Sequence, residues 1–165
     1  IVKDKHLPLQ ISFPDLDKVT RSLDDKKYAG KVVIVQVMGS WCPNCLDESR
    51  YFAELYEHYQ SQGLEIIALA FERTDNFDKA RQQLLRLKMR LGIDYDILVT
   101  QLNGKDKASA ALPALSGVEA FPTTLFLNRR HEIVKVHTGF SGPATGAAYT
   151  EYKQQTEALL SSLLE

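Results

Sequence analysis

The sequence is poor in cysteine, methionine and tryptophan: its 165 residues hold two, two and one of them. Two cysteines cannot staple a fold. A chain of this length needs no staple, because it buries about 70% of the surface its unfolded form exposes. Long apolar runs are missing too, so nothing reads as a membrane-spanning helix. There is no low-complexity tract, internal repeat or linker. An excess of one charge is also missing, since 20 Lys and Arg stand against 21 Asp and Glu. Proteins that bind phosphate backbones usually carry a basic excess, so nucleic acid is not an expected partner. The one basic cluster, Arg81, Arg86, Lys88 and Arg90, falls on an expected helix and reads as a solvated face. The start, IVKDKHLPLQ, has neither an initiator Met nor the apolar core of a signal peptide. The chain is therefore expected to be a trimmed piece of a longer protein.

What is present is a globular composition, 44% hydrophobic and 25% charged, in one expected domain over 1–165. Residues 1–15 read as an extended lead-in interrupted by Pro8 and Pro14. A short strand, a turn and a helical turn at 25–29, closed by Gly30, are expected next. KVVIVQVM (31–38) and LEIIALAF (64–71) are continuous apolar runs, the pattern of strands covered on both faces. Between them lies a predicted helix over 43–61, with Gly63 suited to its end. Asp75 is an expected N-cap for a helix over 76–91, followed by a strand at 95–99. A helix around 105–115 is expected, then a hairpin from TTLFLN and EIVKVHTG turning at Asn128–His131, then a helix over 144–164. This order gives an α/β fold: a mixed sheet with helices on both faces.

The only two cysteines stand three residues apart in Trp41-Cys42-Pro43-Asn44-Cys45, a spacing that random placement rarely gives. The motif falls where a buried strand ends and a helix begins. Sites in α/β sheets collect at the carboxyl ends of strands. A helix N-terminus presents free N–H groups and positive partial charge, which lower the pKa of a thiol placed there. Pro43 suits the first helical position. Cys42 is therefore the expected exposed attacking thiolate, and Cys45, deeper, the thiol that resolves a mixed disulfide. Trp41 is expected to cover the pair and offer an apolar contact. A closed zinc site needs four ligands, and the four histidines are scattered, so no metal is expected. Glu72 reads as a solvated loop acid, and His131 and His137 as surface histidines. Tyr51, Phe52, Tyr56 and Tyr59 read as helix packing. Ser40 has no Gly-x-Ser-x-Gly setting and is not an expected nucleophile.

On KVVIVQVMGSWCPNCLDE, GLEIIALAF, GVEAFPTTLFLN and EIVKVHTGF, roughly residues 10–164, the sequence resembles the thioredoxin-fold superfamily. More narrowly it is similar to the TlpA/ResA-like thiol–disulfide oxidoreductases. The resemblance implies a thioredoxin-like mixed sheet in which 75–99 is a central α-β insertion. It implies that Pro122 is cis beside the cysteine pair. It also implies that Phe121 and Pro122 join Trp41 and Pro43 in binding substrate. Phe121 is bulkier than the residues usual at that place. Thioredoxin's buried Asp is replaced here by Gln36, and the group's Glu three residues after the second Cys is Glu48. The i, i+3 spacing lets Glu48 approach Cys45 and act with the cysteines as a catalytic base. A first-turn acid serving the helix dipole is the plainer reading.

The implied activity is reduction of extracytoplasmic protein disulfides, with no cofactor and with a membrane thiol donor supplying electrons. The implied address is periplasmic or otherwise extracytoplasmic, with tethering to the membrane through an anchor absent from this chain. The motif leaves open a disulfide oxidase or isomerase, a peroxidase through Cys42, and a Cu(I)-binding module using the two soft thiolates.

Overall fold

The computed structural model describes residues 9–115 and 117–165. In chain order the strands are β1 (Ser12–Pro14), β2 (Thr20–Ser22), β3 (Val32–Met38), β4 (Leu64–Ala70), β5 (Asp96–Val99), β6 (Thr123–Leu127) and β7 (Ile133–Thr138). The helices are α1 (Pro43–Tyr59), α2 (Phe77–Leu91), α3 (Lys105–Ala111) and α4 (Ala147–Leu164). Five strands form one mixed sheet in the order β5-β4-β3-β6-β7. The β3–β4 and β4–β5 pairs are parallel, and β6 runs antiparallel to both β3 and β7.

Every residue of β3 and β4 is buried, as their unbroken apolar runs require. Side chains alternate along a strand, so β3 feeds two cores. Val32, Ile34 and Met38 pack on one face with α1, α2 and α4. Val33, Val35 and Val37 pack on the other with Ile11, Leu23, Tyr28 and the residues around α3. Gln36 shares the first face and is fully buried, a polar residue in an apolar strand.

Several boundaries differ from the sequence reading. Residues 1–8 of the expected lead-in lie outside the described residues. The remainder is not simply extended, because β1 pairs antiparallel with β2. The expected helical turn at 25–29 is a pair of i→i+3 turns at Asp25–Tyr28 and Lys26–Ala29. The cap of α2 is Asn76, whose Oδ1 accepts the Lys79 N–H at 3.0 Å. Asp75, one residue earlier, is not the cap. α3 ends at Ala111 because Leu112 precedes Pro113, which disfavours helical backbone at that residue. α4 begins later than expected because Pro143–Thr145 form a 3₁₀ turn and Gly146 turns the chain with φ +62°.

Candidate active site

β3 delivers the chain to Gly39, and the next three residues are fixed in place. A Cβ on Gly39 would lie 2.2 Å from Trp41 Nε1, so only glycine lets the indole lie there. Trp41 Nε1 donates to the Phe71 carbonyl at 2.9 Å. Glu72 accepts the Ser40 N–H at 3.0 Å and the Ser40 hydroxyl at 2.6 Å. Glu72 is only 3% exposed, which corrects the expectation of a solvated acid. The cause is the parallel β3–β4 pair, which ends both strands side by side and brings the Ser40 donors to the carboxylate.

Cys42 is the N-cap of α1, and Pro43 opens the helix, as expected. The Cys42 sulfur accepts the Cys45 N–H at 3.2 Å. The Cys45 thiol and the backbone N–H groups of Cys45 and Asn44 stabilise the Cys42 thiolate. Together they lower the Cys42 thiol to about 7, against the opposing effect of burial. The Cys45 thiol is pushed up, first because Cys42 takes its hydrogen bond and then by burial. The two sulfurs are free thiols and chemically unequal, as the motif's position implies.

Cys42 is not exposed as expected. It keeps 6% of its surface and Cys45 none. Its sulfur lies 3.6 Å from the Phe121 carbonyl, which the later loop folds against the helix start. The Phe121–Pro122 peptide bond is cis. Phe121 packs edge-on against Trp41 with ring centres 5.2 Å apart, and against Phe71 at 6.1 Å. Pro43 and Asn44 remain exposed beside this aromatic pair. The Arg73 guanidinium lies 4.3 Å from the Trp41 ring centre. Trp41 therefore packs with Phe121 and Arg73 as one wall next to Cys42.

Glu48 lies behind the pair, on α1, with no exposed surface. It is not a first-turn acid, since α1 has none. Glu48 Oε1 accepts Thr124 Oγ1–H at 2.8 Å and Gln36 Nε2–H at 3.0 Å. Its Oε2 accepts the Tyr152 hydroxyl at 3.2 Å. Burial raises the Glu48 carboxyl to about 7, although all three donors act in the opposite direction. Among the described residues no hydrogen bond joins Glu48 to either sulfur. Gln36 bridges toward the pair instead, with Nε2 3.4 Å from the Cys45 carbonyl and 3.2 Å from Ser49 Oγ.

Thr124, Tyr152 and the Ser40–Glu72 clamp were not singled out in the sequence. The one available signal is Gln36, a polar side chain inside an otherwise apolar strand, where a partner is obligatory. The histidines divide. His131, expected at the surface, has Nε2 2.8 Å from the Tyr28 carbonyl. His137 lies against the Tyr152 ring at 4.6 Å, and burial lowers its pKa. His6 lies outside the described residues. Among the described residues no group of three or more His, Cys, Asp or Glu side chains could hold a metal ion. No helix among them is long and apolar enough to cross a membrane.

A mixed sheet in this order, with a dithiol capping the first long helix and a cis-proline loop against it, defines a thioredoxin-like protein. Its likeness to known proteins is narrower than the fold. The Redoxin family model matches residues 3–152, and the chain belongs to that family. It is similar to the thiol-disulfide oxidoreductase ResA of Halalkalibacterium halodurans, at 32% identity over 78% of this chain and 66% of the relative. ResA of Geobacillus thermodenitrificans is 31% identical over 76% of this chain and 63% of that protein. The chain thus spans about two thirds of the length of these relatives. Among solved structures, a thioredoxin-family thiol:disulfide interchange protein from Chlorobium tepidum TLS superposes with a TM-score of 0.63. It shares 17% identity, covers 87% of this chain and 92% of its own, and supports the fold alone.

Proposed function

We propose that the protein is a thiol–disulfide oxidoreductase that reduces disulfides of extracytoplasmic proteins by dithiol–disulfide exchange. The observation that carries this reading is the unequal pair at the head of α1: a Cys42 thiol lowered to about 7 beside a buried Cys45. The ResA likeness supports the same activity.

Cys42 thiolate attacks one sulfur of the partner's disulfide. A Cys42–partner bond forms, the partner's S–S bond breaks, and the leaving thiolate takes a proton from water. Cys45 must then lose its proton, and among the described residues Glu48 is the buried carboxylate whose charge bears on Cys45. It accepts that proton, and the Cys45 thiolate attacks Cys42. The mixed disulfide breaks, the second partner sulfur leaves as a thiolate that takes up a proton from water, Glu48 returns its proton to water, and a Cys42–Cys45 disulfide remains. Two electrons have passed to the partner and no cofactor is needed. A membrane thiol donor returns the pair to its reduced form. Trp41, Pro43, Phe121 and Pro122 line the approach to Cys42 and contact the partner chain. In the full-length protein the domain, spanning 1–165 with 75–99 as its insertion, works outside the cytoplasm on a membrane anchor.

The test is insulin reduction driven by a dithiol. The wild-type chain should accelerate it, Cys42→Ser should be inert, and Cys45→Ser should accumulate a mixed disulfide with insulin. Equal activity of wild type and Cys42→Ser would overturn the reading.

A further inference from the structure

Glu48 is held from three directions, and the hold on its second oxygen comes from the far end of the chain. Gln36 on β3 and Thr124 on β6 both donate to Oε1. Among the described residues Oε2 has one donor, the hydroxyl of Tyr152 on α4, 104 residues away in sequence. The Tyr152 ring is itself fixed. Phe140 packs edge-on at 5.1 Å, His137 of β7 lies at 4.6 Å and Tyr51 of α1 at 6.1 Å. The phenol is 5% exposed, so its position is set by packing rather than by solvent.

We propose that Tyr152 is a positioning residue for the resolving step: its hydroxyl fixes Glu48 Oε2 and sets how readily this carboxylate exchanges the Cys45 proton. The proposal rests on the reading of Glu48 as the base for Cys45. A donor to an ionised carboxylate favours the ionised form. Removing the Tyr152 hydroxyl therefore makes Glu48 hold its proton to higher pH. The titratable groups that bear on Glu48 are Cys42 at the cap of α1, Cys45 on α1, Tyr95 before β5 and Tyr152 on α4. His137 faces the other side of the Tyr152 ring. Among the described residues no Lys or Arg pairs with Glu48, so its ionisation is set by burial against the three donors Thr124, Gln36 and Tyr152, of which Tyr152 alone holds Oε2.

The experiment uses the reduced chain and the symmetrical disulfide of thionitrobenzoate. Attack by Cys42 releases the first thionitrobenzoate and resolution by Cys45 releases the second, so rapid mixing separates the two steps. The rate of the second release is followed against pH. Wild type should show an acid limb near pH 7, and Glu48→Gln should lose it. Tyr152→Phe keeps the ring and should move the limb up by about one pH unit, the scale expected for one hydrogen bond to a charge. Its first release should be unchanged. Fluorotyrosine at position 152 keeps both ring and hydroxyl, donates more strongly, and should move the limb down. This second variant decides the matter should the Phe variant fold poorly. A limb lost in Glu48→Gln but unmoved by both Tyr152 replacements would overturn the role of Tyr152 while leaving Glu48 in place. A limb that survives Glu48→Gln would overturn both.

Discussion

The backbone N–H of Cys45 points at the sulfur of Cys42 from 3.2 Å. This contact makes the proposed nucleophile its own helix cap. The sulfur that caps α1 is the same atom that would carry the negative charge. Folding the helix and preparing the thiolate are therefore one event.

The reactivity of Cys42 should follow this arrangement. Alkylation of the reduced chain by iodoacetamide should occur at Cys42, with a rate that rises with pH about a midpoint near 7. Cys45, buried and pushed up, should stay unmodified. Cys45→Ala removes the thiol that donates to the Cys42 sulfur, so the midpoint should move up toward the ordinary thiol range. Mass spectrometry of peptides after timed labelling reads both results.

Glu48 should cost stability as it ionises. Its carboxyl is raised from the ordinary 4.5 to about 7 in the folded chain. Below about pH 4.5 the group is protonated whether the chain is folded or not. Between there and about 7 only the unfolded chain gives up the proton. Stability assigned to this group is therefore complete below 4.5 and is lost as pH rises toward 7, at about 1.4 kcal/mol per pH unit. Glu48→Gln should flatten that slope. Urea unfolding of both proteins across the window, taken as a difference, checks it. Cys42 ionises in the folded chain only near the top of the window.

The Ser40–Glu72 clamp should matter for the loop that carries Trp41. Glu72→Ala leaves two half-buried donors without their acceptor, at a cost near the low end of about 1–3 kcal/mol. Trp41 is the only tryptophan, so its fluorescence reports on the site without labelling. Its emission should shift to the red in Glu72→Ala as the indole loosens.

A methyl group at position 39 should have a local and larger effect. Gly39→Ala drives a Cβ into the Trp41 ring, so the indole must leave its place and lose its bond to the Phe71 carbonyl. The variant should fold, because the clash is with a side chain. Its Trp41 emission should shift to the red, and its first thionitrobenzoate release should slow.

Much of this was legible in the sequence. The apolar runs at 32–38 and 64–70, the cysteine spacing and the proline before TTLFLN carried the fold and the pair, because each is a local pattern. The setting of the pair was not local. Thr124 and Tyr152 reach Glu48 from 76 and 104 residues away, and only the assembled sheet brings them together. Glu72 read as solvated because its partner Ser40 sits on a neighbouring strand end, 32 residues back. Cys42 read as exposed because nothing near it in sequence shows that the Phe121 carbonyl folds against its sulfur. The cap of α2 falls on Asn76 and not on Asp75 because both are good caps and only backbone geometry chooses between them.

If the protein reduces other proteins, Cys42 and Cys45 must form a reversible disulfide of low potential. The equilibrium reduction potential of the pair at neutral pH, set against a glutathione series, decides this. A value near or below about −230 mV is expected, in the range of reducing dithiols. A value near about −120 mV would make the protein an oxidant, and failure to form the disulfide at all would remove the exchange mechanism itself.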